Sequence, residues 1–492
     1  MRLKLIIFMI LLFATPAFGL VTYYVDPTYT DTGSNADGSA SDPWTDISSN
    51  WSSINTSLAG DDVTVYVSAR IVASDTQEDL GESITVSSKT ADPGNTLTID
   101  GNSFYNTSDS HESGSWSAYT GSVRAKCAGV ISQNAGHTKY NDFTVTGFEI
   151  ANCSGKCVSV CGDNWTVDDN LIHDNGDSPL FLIVPTSDAA HEGSSAYCPA
   201  SDNITVSNNT LYDSDGEVIY VGGGGCSSND ANFGGNCQAS ATGGDSGSHT
   251  NITISGNTIY NGGSLGSQGD AIDIKAAFVN LTVTGNEIYN LTSGSIRAIV
   301  MQGWDGTDQN IVIEKNYIHD NTAIEDAVIA VVNSWGTPNG VHIRNNIIDS
   351  NSTGEGIKSY DCGGGYIYNN TIYNNSSFGM LLTGTWTVKN NLLIDNNSDG
   401  AQVSWGSPIQ SNQAYSDTFG ETCTSCQTVD ASDVTNAAGG DFTLPSDSDC
   451  IDNGATISGF SDDYAGNSRS GTWDIGAYEY QTACTNCGVT IN

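Results

Sequence analysis

The chain has 492 residues, and its 15 Lys plus Arg stand against 56 Asp plus Glu, a formal net charge of −41. At long range that charge repels phosphate backbones and anionic membrane surfaces, which argues against nucleic acid as a partner. The length suffices for one large solenoid or two to three ordinary domains with a real core.

The chain opens MRLKLIIFMILLFATPAFGL: Arg2 and Lys4, an apolar run of about a dozen residues, then Ala17, Phe18 and Gly19. This is the pattern of a secretory signal peptide over 1–19, too short to anchor in a bilayer. No later apolar run reaches transmembrane length, so no transmembrane segment is expected. The mature chain is expected outside the cytoplasm, secreted or at the cell surface, as a monomer. There its 13 cysteines can oxidise. Cys153, Cys157 and Cys161 sit four apart, Cys226 and Cys237 flank a Gly-rich loop, and Cys423/Cys426 and Cys484/Cys487 are C-x-x-C pairs. The last two pairs are too far apart for a zinc ribbon, and export favours disulfides. An odd count leaves one thiol over.

A short unit then recurs: an alternating strand, an Asn, and a short apolar step. It reads NWTVDDNLIHDN, NITVSNNTLYDS, NITISGNTIYNG, NLTVTGNEIYNL, NIVIEKNYIHDN, GVHIRNNIIDSN, GYIYNNTIYNNS and TWTVKNNLLIDN, with the Asn at 170, 209, 257, 286, 316, 346, 370 and 391. Alternation with Ile, Val and Thr predicts strands. One copy cannot bury its apolar side alone, so the copies must stack as a parallel β-helix of about ten coils. The Asn is expected to take the left-handed turn and to hydrogen-bond its counterpart in the next coil. The expected organisation is a cap with the first rungs over 20–95, the β-helix over 96–410, a closing segment over 411–481 and a Cys-containing tail over 482–492. The many N-x-S/T sequons read as by-products of strand chemistry.

These features resemble right-handed parallel β-helix proteins of the pectate-lyase-like superfamily across roughly residues 20–480. TYYVDPTYTDTGSNADGSASDPWTDISSNWSSINTSLAGDDVTVYVS resembles their common start, with a short amphipathic helix capping the first coil; DCIDNG and DDYAGNSRSGTWDIGAYEYQ resemble the tail that closes many of them. The resemblance implies the fold but no one reaction, because the fold hosts lyases, hydrolases, esterases, epimerases and inert adhesins.

Each coil also has a second strand, among them IDIKAA, IVMQGW, VIAVVN and IKSYDC. Alternation sends Ile272 and Ile274 inward and Asp273 and Lys275 outward, against an apolar outward row of Ile219, Val221, Val300, Ile329 and Val331. Asp270, Arg297, Asp326 and Glu355 read as one column at the strand starts, setting Arg297 between acidic neighbours. A gathering of cations on the middle coils suits an acidic polysaccharide; it also suits a charge ladder that offsets repulsion between coils.

Uronate polymers can be cut by β-elimination, in which a base removes the C5 proton beside a neutralised carboxylate. A Lys serves only if nearby positive charge or burial lowers its pKa. GDAIDIK resembles the acidic strand that carries the calcium ligands of β-helix lyases, which implies Asp270 and Asp273 as Ca2+ ligands. Lys275 followed by Arg297 a coil later resembles the base pair of alginate and dermatan lyases, with Arg297 stabilising the enolate. EGIKSY resembles the Lys strand of family 9 pectate lyases, so Lys358 is a rival base; the acidic pair that precedes the calcium-binding Asp there is absent, since Gly269 precedes Asp270. Trp304, Trp335, Tyr360 and Trp405 lie where rings could stack on sugars or pack under loops. His173 and His319 read as turn residues. The expected function is a secreted, calcium-assisted polysaccharide lyase; the alternatives are a non-catalytic glycan-binding or adhesion protein and, third, a glycoside hydrolase.

Overall fold

The computed structural model describes residues 19–481 apart from segments 30–35, 70–78, 87–93, 107–115, 133–139, 176–180, 184–200, 223–248, 264–268, 292–296, 305–308, 336–338, 398–400, 403–408 and 417–422 and positions 82, 121, 154–155, 276–277, 323, 325, 353 and 361. Residues 1–18 of the expected signal peptide, Trp405 and the cysteines at 198, 226, 237, 484 and 487 lie outside the described residues.

Short strands alternate among three parallel sheets of 13, 12 and 11 strands. One coil shows the circuit. Ile272–Lys275 lies in the third sheet, Phe278–Thr284 in the first, Glu287–Tyr289 in the second, and Arg297–Trp304 returns to the third. Each strand pairs with its equivalents in the neighbouring coils, so inward residues form columns. In the second sheet Ile172, Leu211, Ile259, Ile288, Ile318 and Ile348 stack in register and are fully buried. Burial of each such side chain stabilises by about 1.5–3 kcal/mol.

The corner between the first and second sheets needs two residues. The first takes a left-handed backbone, as at Asn208 (φ 54°), Gly256 (φ 64°), Gly285 (φ 65°) and Lys315 (φ 55°). The second is the recurring Asn, so the left-handed turn falls one position before it. That Asn instead points inward and bonds along the stack. Asn286 Nδ2 donates to Asn316 Oδ1 (2.9 Å) and to Ile254 O (3.0 Å), and its backbone N–H donates to the same Asn316 oxygen (3.1 Å). The pattern runs from Asn170 to Asn391 and ends on Gln413. A second buried ladder links Asn321, Asn351, Asn375 and Asn396. The sequon residues Asn203, Asn251 and Asn280 are exposed and bonded to the neighbouring coil.

Helix Trp51–Leu58 closes the N-terminal end with Ile54 and Leu58 buried. At the other end, Phe442, Leu444, Cys450, Ile475 and Ala477 form a second core on the outer side of the second sheet against Ile347, Leu392, Ile394 and Ala414. Arg469 pins this segment: its buried guanidinium donates to Glu479 Oε2 (3.1 Å), Asn345 Oδ1 (3.1 Å) and Ala477 O (2.9 Å). Cys153–Cys157 and Cys423–Cys426 are disulfides. Cys127, Cys362 and Cys450 are buried thiols, more than the one expected.

Asn316→Ala leaves buried donors of Asn286 without an acceptor, so it is expected to cost about 2–4 kcal/mol in urea unfolding; Asn310→Ala, in the exposed row, should cost under about 1 kcal/mol. Equal losses at both would contradict the ladder's role. Arg469→Leu strands a buried carboxylate and is expected to cost about 3–5 kcal/mol, seen as early proteolytic release of the C-terminal segment.

Candidate functional site

The outer side of the third sheet carries the residues singled out by sequence. Its register fixes two columns: Tyr220, Asp273, Val300, Ala330 and Lys358 in one, and Gly222, Lys275, Gln302, Val332 and Tyr360 in the next. Asp273 and Lys275 therefore share columns with Lys358 and Tyr360 three coils on. In two strands the expected facing is corrected. Ile219 and Ile329 stack inward with Ile272, and Tyr220 and Ala330 take the outward places.

Asp273 is outward in the pleat yet fully buried, and Gln302 Nε2 donates to its Oδ1 (3.2 Å). Asp270, just before the strand, is 6% exposed. Both offer the oxygen donors that calcium takes, but calcium wants six to eight of them. Among the described residues no group of three or more His, Cys, Asp or Glu comes together to hold a metal. The pair therefore fits the ion in kind and supplies only part of a shell.

The strand starts are also corrected. Arg297 pairs in register with Ala327 and Glu355, and Asp326 falls one position earlier. From there its carboxylate becomes a hub. Arg297 Nε donates to Asp326 Oδ2 (2.9 Å), with Nη2 2.8 Å from the same oxygen. Lys358 Nζ donates to Oδ1 (3.0 Å) and to Glu355 Oε2 (3.1 Å), and the Tyr360 hydroxyl also donates to Oδ1. The Lys358 ammonium lies 4.8 Å over the Tyr360 ring. Burial pushes the Asp326 carboxyl up, but the bonds from Tyr360 and Lys358 and the charge of Arg297 outweigh it and hold it below the usual range. Burial pulls the Lys358 amine down, yet its bonds to Tyr360, Asp326 and Glu355 raise it overall. Lys358 is thus held as a cation, the opposite of what a base needs.

Lys275 pairs through its backbone with Gly222 and Gln302. Its side chain and those of Trp304 and Trp335, whose backbones pair with each other, lie outside the described residues. Arg297 is five positions before Gln302, roughly 16 Å at about 3.3 Å per residue, so it belongs to the opposite end of the strand from Lys275. The Tyr360 hydroxyl is tied to Asp326, and the Lys358 ammonium covers one face of its ring.

His173 and His319 are strand residues, not turns. With Tyr212, Tyr260 and Tyr289 they form a row on the second sheet, with ring centroids 4.6, 4.9, 5.2 and 5.2 Å apart. The rings lie nearly parallel, covering one another's faces and turning their edges outward. Among the described residues no helix is long and apolar enough to cross a membrane.

Residues 306–440 match the family model described as "Right handed beta helix region", and the stack is a right-handed parallel β-helix. No curated protein matches the chain by sequence. Solved structures of similar shape include pectate lyase Pel9A, 15% identical, covering 94% of this chain and 97% of that one with a TM-score of 0.46. XylC in complex with xylose is 12% identical, over 93% and 98%, with a TM-score of 0.47. The alginate lyase from Paenibacillus sp. str. FPU-7 is 15% identical, over 66% and 92%, with a TM-score of 0.37. Likenesses of this degree carry no residue role to this chain.

Because the Asp326 carboxyl is lowered in the fold, its contribution to stability is present above the ordinary carboxylate pKa of about 3.9 and is lost as pH falls through the folded value. Asp326→Asn is therefore expected to have a lower urea midpoint than the parent at neutral pH. The two should converge in acid, and a constant gap across pH would contradict the ion-pair account.

Proposed function

We propose that the chain is a carbohydrate-active enzyme that works outside the cytoplasm as a monomer, cleaving an acidic, uronate-containing polysaccharide by β-elimination on the third sheet. The observation that supports this best is the register. In a chain of net charge −41, it gathers Lys275, Asp273, Lys358 and Tyr360 on two adjacent columns, with Arg297 bound to the same network.

In this reading the neutral Lys275 amine takes the proton from C5 of a uronate unit. The C5 electrons form the C4–C5 double bond, the C4–O bond breaks, and the leaving oxygen takes a proton. In the ladder Lys275 pairs with Gly222 on one side and Gln302 on the other. Asp270 and Asp273 are the carboxylates that would hold Ca2+, which, when bound, cancels the charge of the substrate carboxylate and acidifies C5–H. The two carboxylates supply only part of its shell. Arg297 and Lys358 act as cations that bind the polymer, with Lys358 no longer a rival base.

A second reading, a glycan-binding or adhesion protein without chemistry, is favoured by one observation: Arg297 and Lys358 are balanced by Asp326 and Glu355 in a neutral network. A glycoside hydrolase finds no comparable support among the described residues.

Lys275→Ala separates the readings. The ultraviolet absorbance of unsaturated ends should rise with the parent protein on pectate, alginate or a glycosaminoglycan, fall with a calcium chelator, and drop by about 10²–10⁴-fold in the variant. A parent that retains a uronate polymer on an affinity gel without producing unsaturated or reducing ends would instead support the binding protein.

A further inference from the structure

Four donor atoms from three residues on two other strands converge on Asp326, which lies at the start of strand Ala327–Trp335. Arg297 approaches one oxygen from the preceding coil, and Lys358 and Tyr360 approach the other from the following coil. The side chains of Arg297, Asp326, Lys358 and Glu355 are 18%, 17%, 16% and 12% exposed, so the cluster is partly shielded but reachable.

The convergence leaves donors over. A guanidinium has five N–H bonds and an ammonium three. Two of Arg297's are spent on Asp326, which leaves three, whereas Lys358's three are taken by Asp326, Glu355 and Tyr360. The two cations and two carboxylates cancel. The cluster can therefore recognise an anion by directed hydrogen bonds without a net positive charge, and charge-assisted bonds of that kind are short and orienting.

We propose that Asp326 is a positioning residue: gripped between Arg297 and Lys358, it holds the guanidinium so that Arg297's remaining N–H bonds aim at one sugar carboxylate of the bound polymer, while Lys358 braces Asp326 from the other side. This rests on the acidic-polysaccharide reading above and adds the residue that sets affinity for the acid group. Asp326 does not itself touch the substrate. Removing its charge frees the two side chains to swing, which weakens recognition while leaving proton transfer at Lys275, further along the sheet, in place.

The test uses the full chain with Asp326→Asn, Asp326→Glu and Tyr360→Phe, each checked for folding by thermal melt. The first readout needs no turnover: acylation of Lys358 by an amine-reactive ester at neutral pH, followed by peptide mass spectrometry with Lys126 and Lys389 as references. The second is KM and kcat on a uronate polymer, with affinity-gel retention as the measure of binding. For Asp326→Asn, Lys358 should label at least about tenfold faster, and KM should rise about tenfold with little change in kcat, as expected for loss of bonds to a charged group. Asp326→Glu should restore part of the affinity. Unchanged Lys358 labelling would overturn the proposal, and so would faster labelling with unchanged KM, which would make the cluster purely structural while leaving the proposed reaction standing. A parent protein that neither retains nor cleaves any uronate polymer would refute the underlying reading and this inference with it. If Asp326→Asn does not fold, Tyr360→Phe decides: a smaller KM rise supports the proposal, and none overturns it.

Discussion

The buried side-chain amide ladder is the constraint on which the rest of this molecule depends. A parallel sheet has no intrinsic protection against a slip of register, and a one-residue slip would turn every inward Ile outward. The Asn at each corner removes that freedom, because its oxygen must meet both the backbone N–H and the side-chain amide of the preceding coil's Asn. Buried amides left without partners cost more than the bonds return when made. The ladder is therefore specific as well as stabilising.

Fixed register converts sequence position into geometry. Once the Asn corners align, strands three coils apart are obliged to put Asp273 over Lys358 and Lys275 over Tyr360, with Val300, Ala330, Gln302 and Val332 between them. The outer columns can then be varied without disturbing the core. On the first sheet they carry Thr and the Glu314–Arg344 pair, on the second stacked rings and the Lys126–Glu149 pair, and on the third Asp273 and Lys358 among apolar neighbours. The Asp326 cluster shows why the distribution is tolerable in so acidic a chain. Each cation there is matched by a carboxylate within about hydrogen-bond reach, so the cluster is polar and ordered without being strongly positive.

Much of the fold was legible in the sequence because it is periodic. The Asn positions from 170 to 391 and the alternation beside them lead directly to stacked parallel strands, and the apolar side of Trp51–Leu58 reads as a cap. The second ladder was missed because Asn321, Asn351, Asn375 and Asn396 occupy only the later coils, where they look like loop residues. The third sheet was misread by one position in IYV and VIAVV because both sides of those strands are apolar, which erases the period of two. The candidate site was legible as a set of residues and not as a set of contacts. The reach of Arg297 to Asp326, and of Tyr360 across a coil to the same carboxylate, depends on side-chain direction, which spacing alone does not give. Lys358 looked like a base by position, and only its partners reveal a fixed cation.

The central claim is that an acidic polymer lies on the third sheet with its reacting unit at Lys275. The most direct measurement is a crystal structure of Lys275→Ala with a uronate oligosaccharide in the presence of calcium. The account predicts sugar on the third sheet with a carboxylate against Arg297 and the reacting unit at position 275. Sugar on the tyrosine row of the second sheet, with the third sheet bare, would contradict it.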